Sequence, residues 1–132
     1  MKITPYIRFN NNCLEAMNFY KECLGGSLHI EIVKDTPMKE MFPQQLHDSV
    51  IHAQLEAGEL VLLGSDIPGD DPQGFTVTLM LICDTKADMY DKFEKLSAGG
   101  KVVHQAETFY AGTMGSLIDK FDIRWGVFTD EK

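Results

Sequence analysis

Basic residues are scarce in this chain of 132, with 12 Lys and Arg against 20 Asp and Glu and a net charge of −8. Nucleic acid and anionic membrane surfaces are gripped by clustered Lys and Arg, so this shortage disfavours both as partners. Long apolar runs are missing as well. Nowhere do 18 consecutive apolar residues occur, and the opening MKITPYIRFN lacks the apolar stretch of a secretory signal. Cysteines are few and odd in number (Cys13, Cys23 and Cys83), with no C-x-x-C spacing. They read as packing residues with reduced thiols, which fits a cytoplasmic protein. Nucleophile signatures are absent too: no G-x-S-x-G occurs, and no cysteine stands with a plausible base. No Gly-rich phosphate loop follows a strand, since Gly25-Gly26 and Gly99-Gly100 come after helical stretches.

What is present is a repeat. FYKECLGG (Phe19 to Gly26) returns as FEKLSAGG (Phe93 to Gly100), sharing F-x-K-x-x-x-G-G at an offset of 74. An extended segment precedes each copy. ITPYIRF alternates, with Ile3, Pro5, Ile7 and Phe9 on one side and Thr4, Tyr6 and Arg8 on the other. FTVTLMLIC, from Phe75 to Cys83, is a longer apolar run whose Val77, Leu79, Leu81 and Cys83 fall on the first apolar set. A helix follows each strand. Asn12 with Glu15 predicts a cap for the first, and Thr85 with Asp88 for the second. Each helix is expected to end where the first glycine of the pair turns left-handed, with Phe19 and Phe93 facing the sheet.

Three strands are expected after each helix: SLHIEIV, SVIHAQLE and ELVLLGSD in the first half, KVVHQA, GSLIDK and IRWGVFT in the second. Tight turns are expected at Ala57-Gly58 and Phe121-Asp122. Aligning those turns leaves an insertion of ten residues in the first half, within KDTPMKEMFPQQLHD, expected as a loop or short helix over a cleft. The Pro-, Gly- and Asp-rich stretch SDIPGDDPQG joins the halves. The architecture is therefore α+β: two tandem βαβββ modules, 1–66 and 75–132, with a linker at 67–74. Neither half could bury its open sheet alone.

Tandem βαβββ modules resemble the vicinal oxygen chelate superfamily, which includes glyoxalase I, bleomycin resistance proteins and extradiol dioxygenases. Within it the chain is most similar to the PhnB-like group, labelled 3-demethylubiquinone methyltransferase-like. The resemblance rests on TPYIRFNNNCLEAMNFYKECLGG, IHAQLEAGELVLLGSD and ETFYAGTMGSLIDKFDIRWGV. It departs from the group's pattern at Tyr110, where a Trp is usual, at Ala111 for a glycine, and at Asp122 for the turn glycine. Asp tolerates positive φ better than most residues, so that turn is expected to survive. The resemblance implies a glyoxalase/bleomycin resistance fold, a curved and mostly antiparallel sheet with helices on its convex face, and a homodimer. The methyltransferase label itself finds no support, because an S-adenosylmethionine enzyme would normally open with a strand, a Gly-rich turn and a helix.

Metal-dependent members of the superfamily use four cavity-facing His and Glu ligands. Carried across by position, these fall at Thr4, Leu62, Thr78 and Gly126, none of which suits a zinc- or nickel-type ion. Slips of two residues bring in Tyr6, Met80, Leu60, Gly64, Arg124 or Phe128 and do not restore the set. No metal and no cofactor are expected. His29, His47, His52 and His104 are scattered along the chain.

The candidate ligand pocket comprises Tyr6, Arg8, His52, Gln54, Thr78, Tyr110 and Trp125. His52, Gln54 and Glu56 alternate with apolar residues and so share one strand face, which lines a cavity or faces water. Arg8 either holds a carboxylate or phosphate or makes a surface ion pair. Phe109, Tyr110 and Trp125, with Met80 and Met114, form an aromatic and thioether wall or belong to the core. Two functions follow. One is a metal-free module binding a small molecule. The other is a lyase or isomerase acting on a small carbonyl or oxyanion substrate, with His52 as general base.

Overall fold

In the computed structural model the chain is described at residues 1–66, 74 and 77–132. The linker expected at 67–74 therefore lies almost wholly outside the described residues, as do Phe75 and Thr76 of the second expected strand. The chain divides into two compact units, Met1–Asp71 and Pro72–Lys132. Each is a βαβββ module, so the expected α+β architecture is what the structure shows. Among the described residues no helix is long and apolar enough to cross a membrane.

The first unit runs β1 (Tyr6–Phe9), α1 (Cys13–Leu24), β2 (Ser27–Ile32), β3 (Val50–Ala57) and β4 (Leu60–Asp66), in the sheet order β1-β4-β3-β2. β1 is parallel to β4, and the other pairings are antiparallel. β1 is shorter than its alternation predicts, and Ile3 is exposed. Pro5 has no N–H to give to a ladder, so pairing begins when its carbonyl accepts from the Leu63 N–H at 3.0 Å. Between β2 and β3 the segment that holds the insertion folds into three 3-10 turns, Val33–Asp35, Pro37–Met41 and Gln44–Leu46. The His47 Nε2 lies 3.0 Å from the Lys39 carbonyl and 3.1 Å from that of Phe42, which ties the last two turns together.

The second unit repeats the plan with β5 (Leu79–Ile82), α2 (Lys86–Ser97), β6 (Lys101–Phe109), β7 (Gly112–Ile118) and β8 (Arg124–Thr129), in the order β5-β8-β7-β6. β6 and β7 meet at a two-residue turn, Tyr110-Ala111, much tighter than the expected strand ends imply.

The glycine pairs do what the repeat suggests, and something more. Gly25 and Gly99 have positive φ of 78° and 77° where the helices end, which glycine adopts without a Cβ penalty. Gly25, with ψ −164°, is extended rather than left-handed helical. The second glycines are needed for a different reason. A Cβ on Gly26 would collide with the Glu56 carbonyl, and one on Gly100 with that of Ile118. Both positions carry the chain beneath the neighbouring strand at a separation only glycine allows.

The phenylalanines are another matter. α1 buries Cys13, Ala16, Met17, Tyr20 and Cys23, while α2 buries Met89, Phe93 and Leu96. Tyr20 is the counterpart of Phe93, and Phe19 is only half-buried. The letter match is thus one residue out of step with the packing. Ala98, inserted between α2 and Gly99, absorbs the difference.

One cap differs from expectation as well. Thr85 caps α2, its hydroxyl accepting from the Asp88 N–H at 3.1 Å. Asn12 makes no side-chain cap. Asp66, at the far end of β4, takes that part instead. Its Oδ1 accepts from the Cys13 N–H at 2.9 Å and its Oδ2 from the Val50 N–H at 3.1 Å. A carboxylate at a helix N-terminus also meets the positive end of the helix dipole.

Candidate functional site

Within each unit one face of the sheet packs on that unit's helix, and among the described residues of the unit no helix packs on the other. In the first sheet, a Cβ on Gly64 would meet Phe9, Met17 and Cys13, so even-numbered residues of β4 point toward α1. Leu62 shares that side and is buried, as are Ala53 and Leu55 of β3. Odd positions of β4 and even positions of β1 and β3 point the other way. Strand register arranges the helix-free face in two rows. Tyr6 lies beside Leu63, then Gln54, then His29. Arg8 lies beside Ser65, and His52 beside Glu31. Ala53 pairs with Gly64, so one step along that antiparallel ladder brings His52 alongside Ser65.

His52 and Gln54 therefore stand on the helix-free side together with Tyr6, whose ring centroid is 6.2 Å from that of His52. The Gln54 amide donates to Glu56 on the same face. His29 and Glu31, on β2, form a 3.5 Å pair across from them. The face continues into a cleft of about 570 Å³ at the β2 edge, whose walls include Glu31, His52, Asp35 and Met38. Two of these come from the inserted turns, so the insertion does border a cleft. Sequence reasoning singled out His52 but missed His29 and Glu31, because partnership across strands depends on register.

The second sheet carries a different face at matching positions. Gly115 packs against Phe93 of α2, where an added Cβ would lie 2.5 Å from the ring, so Val127, its partner in register, shares the helix side. Leu117 and Trp125 face one another on that side and are both buried. The Trp125 indole N–H donates to Asp119 Oδ2 at 2.9 Å. Asp119 Oδ1 accepts from the Phe121 and Ile123 N–H groups at 2.8 and 3.1 Å. One buried carboxylate thus holds the turn and the tryptophan together, and Asp122 reaches φ 65° within that turn. Trp125 is buried in the core, and Tyr110 sits 92% exposed at the tip of the β6–β7 turn.

The helix-free face of the second sheet carries an apolar group, Met80 and Ile82 of β5, Phe128 of β8 and Met114 of β7, with Ser116, His104 and Arg124 on the same side. Phe109 adds its ring at 6.3 Å from Phe128.

Register also corrects one of the four positions at which a metal would be held. Tyr6 pairs with Leu63 as Met80 pairs with Gly126, so the counterpart of Gly126 is Leu63 and not Leu62. Leucine has no donor atom. At Gly126 the space of a side chain is taken by Met80, whose Sδ lies 2.8 Å from where a Cβ would stand, with the Thr78 methyl at 3.8 Å. Among the described residues no three His, Cys, Asp or Glu side chains are grouped to hold a metal. The donor set does not fit a metal of the superfamily's kind.

The cysteines offer no nucleophile either. Burial and the nearby Asp66 push the Cys13 thiol up to about 12. Burial and Asp88 push Cys83 up to about 11. Both stay protonated at neutral pH. Two buried hydroxyls, those of Ser65 and Ser116, have no hydrogen-bond partner.

Comparison with known proteins agrees with this fold. A family model described as 3-demethylubiquinone-9 3-methyltransferase matches residues 1–128. Protein YjdN of Escherichia coli (strain K12) is 27% identical over 139 residues, which cover 95% of this chain and 92% of that one. The crystal structure of protein PA1353 from Pseudomonas aeruginosa superposes with a TM-score of 0.84 at 29% identity, covering 100% of this chain and 99% of that one. The PhnB protein from Bacillus cereus shares the fold at 21% identity, with a TM-score of 0.75 over 98% of this chain and 99% of its own. Glyoxalase/bleomycin resistance proteins share the fold at lower identity.

Proposed function

Because the chain belongs to the 3-demethylubiquinone-9 3-methyltransferase family, a PhnB-like branch of the vicinal oxygen chelate superfamily, we propose that it binds a small organic molecule without a metal. The site is the helix-free face of the first sheet, with Tyr6, His52 and Gln54 as the main contacts. A single observation carries this reading. Polar side chains of β1, β3 and β2 stand on the face of the first sheet opposite α1, and His29, Glu31 and His52 of that face also line a cleft of about 570 Å³. Ligand sites combine an apolar or aromatic wall with a few fixed polar groups, and Tyr6 beside His52 and Gln54 has that composition. Thr78, the other contact expected from the sequence, belongs to the second unit and is not part of this site. In this reading the protein acts in the cytoplasm as a homodimer.

The methyl-transfer chemistry in the family's description does not extend to this chain in our reading. Both sheets are mixed, and both glycine pairs follow helices, where they close turns rather than cradle a cofactor.

The test is a fragment screen read by chemical-shift perturbation on the metal-stripped protein. Binders should shift the Tyr6 and His52 signals, and His52→Ala should weaken them about tenfold or more, the loss of one well-formed contact. Adding nickel, zinc or manganese should not change the affinities. Binding that appears only with one stoichiometric metal ion would refute the proposal.

A further inference from the structure

Ser65 has a use for its hydroxyl that nothing within the fold supplies. The residue is fully buried and, among the described residues, its Oγ has no hydrogen-bond partner. A hydroxyl removed from water without a partner destabilises a fold, so such a group either is a defect or awaits a partner from outside. Its neighbours favour the second. Arg8 pairs with Ser65 in register on one side, and on the other His52 directly precedes Ala53, whose partner Gly64 directly precedes Ser65. Guanidinium, hydroxyl and imidazole all donate, and they lie on one row of one face. Glu31, the carboxylate that ends the row, is engaged with His29.

The fold does not impose this row. At the matching positions of the second sheet stand Ile82, Phe128 and Met114, and the sheet forms there with the same pairing. The three polar side chains of the first sheet are therefore dispensable for architecture. Extending the small-molecule reading above, on which it rests, we propose that Ser65 is a ligand-binding residue that, between Arg8 and His52, grips a carboxylate or phosphate group of the bound molecule. The forked guanidinium supplies charge and two parallel donors, while the serine hydroxyl donates to a remaining oxygen. Exposed side chains such as Arg8 change rotamer in picoseconds to nanoseconds, which is fast enough to admit the anion to the hydroxyl.

Inorganic phosphate and acetate serve as probes, titrated into the full protein against chloride at matched ionic strength. The side-chain signals of Arg8 and His52 report binding. A saturable response to at least one anion is expected, at least tenfold weaker in Ser65→Ala and in Arg8→Gln and unchanged in Lys39→Gln. Free of ligand, Ser65→Ala should melt no lower than the parent, since it removes an unpaired group. An equal response in Ser65→Ala, or no saturable response to either anion in the parent, overturns the proposal. Fragments that still perturb Tyr6 and His52 would then leave the broader small-molecule reading standing, whereas loss of both would reject it too.

Discussion

At the scale of single residues, buried polar groups explain most of what the sequence pattern could not. Asp119 looks like one acidic residue of a polar turn, IDKFD. Its carboxylate in fact accepts two backbone N–H groups and the Trp125 indole, so it organises the β7–β8 connection. Cys13 illustrates burial acting on chemistry. Its thiol is raised from 9.0 to about 12 because the thiolate would lie in the core beside Asp66. The folded chain therefore keeps a proton that the unfolded chain gives up above pH 9. By linkage, stability is unaffected below that point and falls as pH rises from about 9 toward 12. Denaturant titrations across that range should show the decline, and it should be shallower in Cys13→Ala. An equal slope in the variant would assign the loss to other groups. The same burial predicts slow alkylation of this thiol at pH 8.

Elements show how one plan is executed twice with different parts. Both helices need their first N–H groups satisfied. α2 uses the local Thr85, while α1 borrows Asp66 from 53 residues away in sequence. The two devices should respond differently to mutation. Thr85→Ala should cost about 1 kcal/mol, a typical local cap. Asp66→Ala should cost more, roughly 2–3 kcal/mol, because two buried N–H groups lose a charged acceptor at once. Asn12→Ala should be close to neutral. Chemical denaturation of the three variants decides the matter, and a large loss in Asn12→Ala would contradict the assignment. The sheets diverge in the same fashion. A polar row in one module is matched by Ile82, Phe128 and Met114 in the other, so duplication preserved the pairing while the helix-free faces separated in character.

For the whole molecule, the apolar group on the helix-free face of the second sheet is the feature with consequences. Met80 and Ile82 are 47% and 63% exposed, and Phe109 and Met114 stand on the same face. Contiguous exposed apolar surface of this kind marks a place for association. Within the proposed homodimer a second copy covers it. The protein should sediment at twice the 14.9 kDa of one chain at micromolar concentrations. Ile82→Lys should shift it toward the monomer while its circular dichroism is unchanged. A monomeric parent at tens of micromolar would refute the homodimer. The charge of −8 keeps such an assembly soluble at neutral pH.

Much of this was written in the sequence itself. Alternation in Tyr6 to Phe9 and in Val50 to Ala57, the glycine pairs, and the doubled strand–helix order all follow from local chemistry, because period and backbone freedom act over a few residues. The same holds for the chemistry of Leu62, Leu63 and Gly126, since a side chain without donor atoms cannot ligate wherever it is placed. Tertiary structure decided the rest. It assigned Leu63 rather than Leu62 to the helix-free face, matched Tyr20 with Phe93, gave the cap to Asp66, took Trp125 into the core and set Ser65 between Arg8 and His52. All of these depend on register between strands or on contacts between distant segments. A shift of one residue reverses every face of a strand, and nothing in the local sequence fixes that shift.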